Sequence, residues 1–121
     1  MKNFTEFMKA FGHAWHGIIY CIKDEKHMRI HLFFAVLAIS LSLYFRIPVN
    51  EWLMVIFSIT LVITLEMLNT ALERTIDMFI KELHPLAKIA KDVAAGAVLV
   101  AALNALIIGA VVFLPKICKY F

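Results

Sequence analysis

Neither a GxxxxGK[ST] loop nor a GxGxxG turn occurs in the chain, which excludes the glycine-rich phosphate cradles of P-loop proteins and protein kinases. No stretch resembles a nucleic-acid-binding motif, so no nucleic acid is expected as a partner. Charge is sparse: 17% of the 121 residues are charged and 63% are hydrophobic, with a mean hydropathy of +0.86. A soluble domain this small buries too little surface to hide so much apolar material, and lipid is the simplest solvent for it. Residues 1–9 lack the apolar stretch and cleavage site of a signal peptide, so the apolar segments are expected to do the targeting. Only two cysteines occur, Cys21 before the first apolar run and Cys118 after the last. Three crossings would put them on opposite sides of a bilayer, out of reach of a disulfide.

What the chain does have is organised by helical spacing. Phe4, Phe7, Met8, Phe11, Trp15, Ile18, Ile19 and Ile22 share one stripe, opposite Glu6, Lys9, His13, His16, Tyr20 and Lys23. That pattern predicts an amphipathic helix over 3–23, lying along a membrane surface, with Asn3 and Glu6 as its capping box. A polar segment follows, in which Glu25 and Arg29 stand four apart and are expected to pair. The apolar run 32–45 is shorter than the ~20 residues a bilayer core needs, so the first membrane helix must borrow from preceding residues and covers 28–46. The Arg46-Ile47-Pro48-Val49-Asn50 turn leads into a second membrane helix over 51–79, with Asn50 as a fair N-cap. His84-Pro85 breaks the polar connection after it. A third membrane helix is expected over 88–114, ended by Pro115, with Asn104 bonding across to another helix. The fold class is therefore all-α, a surface helix followed by three transmembrane helices in one domain.

Net charge is +3, and the twelve basic residues divide nine to three between the two sides of this topology. Lys2, Lys9, Lys23, Lys26, Arg29, Arg74, Lys81, Lys88 and Lys91 fall with the amino terminus; Arg46, Lys116 and Lys119 fall opposite. The excess assigns the first side to the cytoplasm.

One stretch breaks the apolar logic. Glu66, Asn69, Glu73 and Asp77 follow the apolar run 52–65, and at roughly 100° per residue they lie within about 80° of one another on a helix. Ionisable groups at membrane depth cost about 2.5–3.5 kcal/mol each on insertion scales and usually face protein, ion or substrate. An ordinary helix end emerging into water accounts for Asp77 and Glu73, but poorly for Glu66 directly after Leu61-Val62-Ile63-Thr64-Leu65. Carboxylates near a lysine suit a divalent cation and phosphate: Mg²⁺ takes a few carboxylates plus phosphate oxygens, and lysine supplies a point charge. By residue chemistry alone, the chain performs metal-dependent phosphate chemistry or ion transport at the cytoplasmic interface.

The wording narrows this. Glu66-Met-Leu-Asn69-Thr-Ala-Leu-Glu73, then Asp77, then His84-Pro85-Leu-Ala-Lys88-Ile-Ala-Lys91-Asp92-Val-Ala-Ala-Gly96 resembles the prokaryotic diacylglycerol kinase family, small integral-membrane lipid kinases. The similarity covers nearly the whole chain, including the surface helix and Glu25-x-x-x-Arg29. It implies transfer of the ATP γ-phosphoryl group to a lipid hydroxyl, with Mg²⁺ as cofactor, in the bacterial inner membrane. By matched positions it implies Glu66 as the catalytic base and Glu25 and Glu73 as metal ligands. Asn69, Glu73, Glu82, His84, Lys91 and Asp92 would contact the nucleotide, with His13 over the adenine. It further implies a homotrimer with sites shared between protomers. Proteobacterial members carry an arginine early in the surface helix where this chain has Glu6, leaving Lys9 as the candidate substitute. His84-Pro85-Leu86-Ala87-Lys88 is closer to the undecaprenol kinase branch, so the expected acceptor is undecaprenol, with diacylglycerol as the alternative. A small proton- or cation-coupled transporter and a structural subunit are the readings outside this class.

Overall fold

The computed structural model describes residues 2–82 and 84–121 and is built of helices: α1 (Lys2–Asp24), α2 (Lys26–Phe45), α3 (Val49–Phe79) and α4 (Pro85–Tyr120). The helices α2, α3 and α4 are each long and apolar enough to cross a membrane. At 1.5 Å per residue, α3 and α4 reach roughly 46 and 54 Å, well beyond a ~30 Å hydrocarbon core. Both therefore carry extra turns that project past the apolar zone.

A single non-helical residue, Glu25, separates α1 from α2 (φ −111°, ψ 113°). The break leaves the last carbonyls of α1 without amide partners, and Arg29 Nη1 satisfies two of them, donating to Ile22 O at 2.9 Å and Lys23 O at 2.7 Å. The expected Glu25–Arg29 pair is thus not formed. Four-residue spacing brings side chains together only within one continuous helix, and Glu25 lies outside it. At the other end of α2, Arg46 adopts the left-handed conformation (φ 51°), and its amide and that of Ile47 close back on Leu43 and Ser42.

Three further local expectations are corrected. Asn3 lies inside α1, which already begins by Lys2. Pro48 is the N-cap of α3, so Asn50 sits one residue inside the first turn rather than at the cap. The α4 helix does not stop at Pro115 but carries it within and runs on to Tyr120. A proline there removes one amide and crowds the preceding turn. Beside it, Lys116 Nζ donates to Val112 O at 2.9 Å and to Glu51 Oε1 of α3 at 2.6 Å.

The α3 and α4 helices form the main antiparallel pair. Val55 near the start of α3 packs with Val112 and Phe113 near the end of α4, and Ile47 completes this buried cluster. At the opposite end, Asp77 of α3 meets Lys91 of α4. α2 runs parallel to α4, its Phe45 ring 5.8 Å from that of Tyr120. The two ends differ in kind. The Phe113 end is an apolar core, whereas the other buries Glu66, Asn69 and Thr70 beside Cys21 and Met28. Hydroxyls along the apolar helices bond the preceding turn of their own helix, as Ser42 Oγ does to Ala38 O at 2.8 Å.

Only the carboxyl-terminal part of α1 is packed. Cys21 is buried, but Phe4, Phe7, Met8, Phe11 and Trp15 are all exposed along one stripe. Asn104 is exposed on α4 and, among the described residues, bonds no other helix, contrary to expectation.

Burial, and after it the Glu25 carboxylate, pushes the Cys21 thiol above its ordinary value. The thiolate is the nucleophile, so less of it is present at a given pH. In detergent at neutral pH, exposed Cys118 should react with a maleimide on the order of tenfold faster than Cys21. The Cys21 rate should climb only at higher pH. Mass-resolved alkylation kinetics check this; equal rates at the two cysteines would contradict it.

Candidate functional site

The acidic stripe of α3 runs from buried Glu66 and Asn69 through half-buried Glu73 to exposed Asp77, at the end of the bundle where α1, α2 and α3 meet. Glu66 is 3% exposed. Its Oε2 lies 3.6 Å from Nε2 of His31, on the first turns of α2. One turn on, Asn69 is likewise buried; its Nδ2 donates to Glu73 Oε1 at 3.4 Å, while its Oδ1 is buried without a hydrogen-bond partner among the described residues. Thr70, also buried, donates its hydroxyl to the Glu66 carbonyl at 3.0 Å. That disposes of one polar group; Asn69 Oδ1 is left as an acceptor needing a donor or a cation.

Glu25 reaches the same place from the α1–α2 break. Its carboxylate pairs with Nη2 of Arg74, which also stands 4.0 Å from Glu73 through Nη1. Arg74 Nε donates to the Tyr20 hydroxyl at 2.8 Å, and its guanidinium carbon lies 5.7 Å from the centre of that ring. Glu25 and Glu73, 48 residues apart in sequence, therefore flank one guanidinium.

The remaining expected residues divide. Lys91 Nζ donates to Asp77 Oδ1 at 2.5 Å, joining the start of α4 to the end of the stripe. Asp92 turns outward and pairs with Lys88 at 2.7 Å. His84 caps α4, its Nδ1 accepting from the Leu86 amide at 3.1 Å. Glu82 is exposed in the connection, and His13 is exposed on α1, roughly 12 Å along the axis from Cys21. The structure thus gathers Glu25, Glu66, Asn69 and Glu73, ties Lys91 to the stripe through Asp77, and leaves His13, Glu82, His84 and Asp92 at its margin.

Tyr20, His31 and Arg74 were not expected as site residues. The sequence offers a weak signal for each: Tyr20 lies on the polar face of α1, His31 precedes an apolar run, and Arg74 directly follows Glu73.

Among the described residues, no group of three or more His, Cys, Asp or Glu side chains gathers as a metal cluster. The donors here are fewer: two carboxylates on either side of Arg74, and an amide oxygen without a partner. That set fits Mg²⁺, which keeps several waters and completes its octahedron with phosphate oxygens rather than a full protein cage. Beside it, an apolar groove of about 660 Å³ runs between α2, α3 and α4, from Ile30 and His31 past Ala35, Val62 and Ala102 to Phe113. The groove therefore ends at the histidine that touches Glu66. The apolar groove and the charged cluster of Glu25, Glu73 and Arg74 thus approach one buried carboxylate, Glu66.

Residues 12–113 match the family described as prokaryotic diacylglycerol kinase. The chain is 40% identical over 116 residues to the undecaprenol kinase of Bacillus subtilis (strain 168), covering 96% of this chain and 94% of that protein. It is 39% identical over 109 residues to a diacylglycerol kinase of Synechocystis (89% of this chain, 62% of that protein). With the diacylglycerol kinase of Escherichia coli (strain K12) it shares 31% identity over 105 residues, 87% and 86% of the two chains. This chain belongs to the prokaryotic diacylglycerol kinase family, and is a membrane lipid kinase.

Proposed function

We propose that the enzyme uses ATP and Mg²⁺ to phosphorylate undecaprenol to undecaprenyl phosphate, at the cytoplasmic face of the bacterial inner membrane. The observation that carries this reading is Glu66, a buried carboxylate at the junction of the apolar groove and the Glu25–Glu73 pocket. A lipid alcohol needs that combination: apolar walls for its body, a base at its hydroxyl, and charge beyond it for phosphate. The transporter and structural-subunit readings fall with the family assignment.

The chemistry follows from these positions. Glu66 accepts the hydroxyl proton of the acceptor as its oxygen bonds the γ-phosphorus; the bond from that phosphorus to the bridging oxygen breaks, and ADP leaves with the electron pair. His31, 3.6 Å from Glu66, is the next group able to take the proton onward. Glu25, Glu73 and the Asn69 amide oxygen would hold Mg²⁺, which when bound would neutralise negative charge on the phosphates. Lys91, released from Asp77, provides a positive charge for phosphate. Phosphoryl transfer is mostly positioning and charge stabilisation, so a site of this economy suffices. His13, Glu82, His84 and Asp92 serve the nucleotide from the margin, His13 over the adenine.

The basic residues gathered on this side support a cytoplasmic face. The bare apolar stripe of α1 supports its lying on the membrane surface. Exposed Asn104, in an otherwise apolar part of α4, supports a second copy against that helix, as in the homotrimer implied by the family. Similarity to the Bacillus subtilis enzyme over nearly the full length of both chains supports undecaprenol over diacylglycerol.

Replacing Glu66 with Gln keeps its shape and removes the base. Lipid-dependent turnover should fall about a hundredfold or more while nucleotide binding persists; turnover equal to the parent would remove Glu66 from that role. Glu73→Ala should raise the Mg²⁺ concentration for half-maximal activity and leave the lipid KM unchanged. An unaltered Mg²⁺ titration contradicts its role as a ligand. Side-by-side assays in mixed micelles should give a higher kcat/KM for undecaprenol than for diacylglycerol, and the reverse order would reassign the acceptor.

A further inference from the structure

We propose that Arg74 is a resident counter-cation of the nucleotide site, which the incoming metal displaces and which then turns to the phosphates, making metal and nucleotide binding mutually dependent. This rests on the reading of Glu25 and Glu73 as metal ligands.

The guanidinium stands between those two carboxylates, paired with Glu25 through Nη2 and 4.0 Å from Glu73 through Nη1. It occupies the place a bridging cation would take. Two carboxylates gathered without a cation repel each other, so this end of the bundle needs positive charge there before any ligand arrives. A protonated guanidinium cannot bind a metal, and this one fills the space between the Glu25 and Glu73 carboxylates. A metal shared by both carboxylates would therefore have to displace it.

What becomes of the displaced side chain is set by Tyr20. Arg74 Nε donates to the Tyr20 hydroxyl at 2.8 Å, and the guanidinium lies 5.7 Å from that ring. Neither contact uses Nη1 or Nη2, so both nitrogens can leave the carboxylates while the group stays tethered over α1. The same donor fork that suits a carboxylate suits a phosphate. With metal alone, Arg74 loses a partner and gains none. With metal and nucleotide together, it exchanges a carboxylate for phosphate oxygens. The consequence is coupling: the pocket resists free divalent metal and accepts the metal–nucleotide pair, and by reciprocity each strengthens the other. Arg74 is in this sense a positioning residue for metal and nucleotide.

The test is direct Mn²⁺ binding, read from the EPR signal of free Mn²⁺, on the purified full chain in detergent without lipid acceptor. It is run with and without a non-hydrolysable ATP analogue. The parent should bind Mn²⁺ weakly alone and more tightly with the analogue. Arg74→Ala should bind Mn²⁺ alone about fivefold or more tighter than the parent, and the enhancement by the analogue should shrink by about the same factor. Arg74→Lys, which keeps the charge, should restore part of both. A merely structural role moves the first quantity the other way, because a loosened site binds metal more weakly. Unchanged or weakened Mn²⁺ binding in a folded Arg74→Ala protein overturns the proposal. If Arg74→Ala does not fold, Tyr20→Phe decides: it keeps the guanidinium but cuts the tether, so Mn²⁺ alone should bind as in the parent while the enhancement falls, and an intact enhancement overturns the proposal. A parent that binds no Mn²⁺–nucleotide at all would instead sink the assignment of Glu25 and Glu73 as ligands.

Discussion

Carboxylates held where apolar helices end must find polar or charged partners or pay for desolvation, and this constraint shapes one whole end of the molecule. Glu25 is drawn to Arg74, Glu66 lies against His31, and Asp77 takes Lys91. Each contact joins two different elements: the α1–α2 break to α3, α2 to α3, and α3 to α4. Polar contacts thus do at this end what Val55, Val112 and Phe113 do by apolar packing at the other. The asymmetry has a chemical use. In the proposed reading, a cluster that holds itself together with its own cations exchanges them for a metal and phosphates; the other end is an apolar core flanked by the Glu51–Lys116 pair.

The membrane-crossing helices and the acidic stripe were legible in the sequence because both depend only on local repetition. Apolar runs of sufficient length give α2, α3 and α4, and a 3.6-residue period places Glu66, Asn69, Glu73 and Asp77 on one face. The pairing of Glu25 was not legible. Spacing favoured Arg29, but a single extended residue ended α1 and turned Arg29 to the orphaned carbonyls of Ile22 and Lys23. The actual partner is 49 residues away and depends on how α3 crosses the α1–α2 break. His31 and Tyr20 escaped notice for the same reason, since no periodicity within one helix tells which neighbour it will meet. Pro115 misled differently: proline tends to end a helix, yet packing against α3 and the Lys116 contacts carry α4 through it.

Two kinds of surface approach each other at Glu66, and in the proposed reading they divide the work of recognition. The pocket side has named donors and acceptors, and it is suited to the fixed geometry of a metal-bound phosphate chain. The groove side, from His31 to Phe113, is walled by aliphatic and aromatic side chains with almost nothing to hydrogen-bond. Such walls select an acceptor by length and shape rather than by polar contacts. A family that includes both undecaprenol and diacylglycerol kinases is consistent with this division, because the polar half can stay the same while the groove changes.

The central claim is that Glu25 and Glu73 together hold the metal that accompanies the nucleotide, with Glu66 beside the acceptor. Its most direct test is a structure of the assembled enzyme in lipid with Mg²⁺ and a non-hydrolysable ATP analogue. The account predicts both carboxylates at the metal, with oxygens at about 2.0–2.1 Å, and Arg74 turned from Glu25 to a phosphate. A metal held elsewhere, with Glu25 still paired to Arg74, would contradict it.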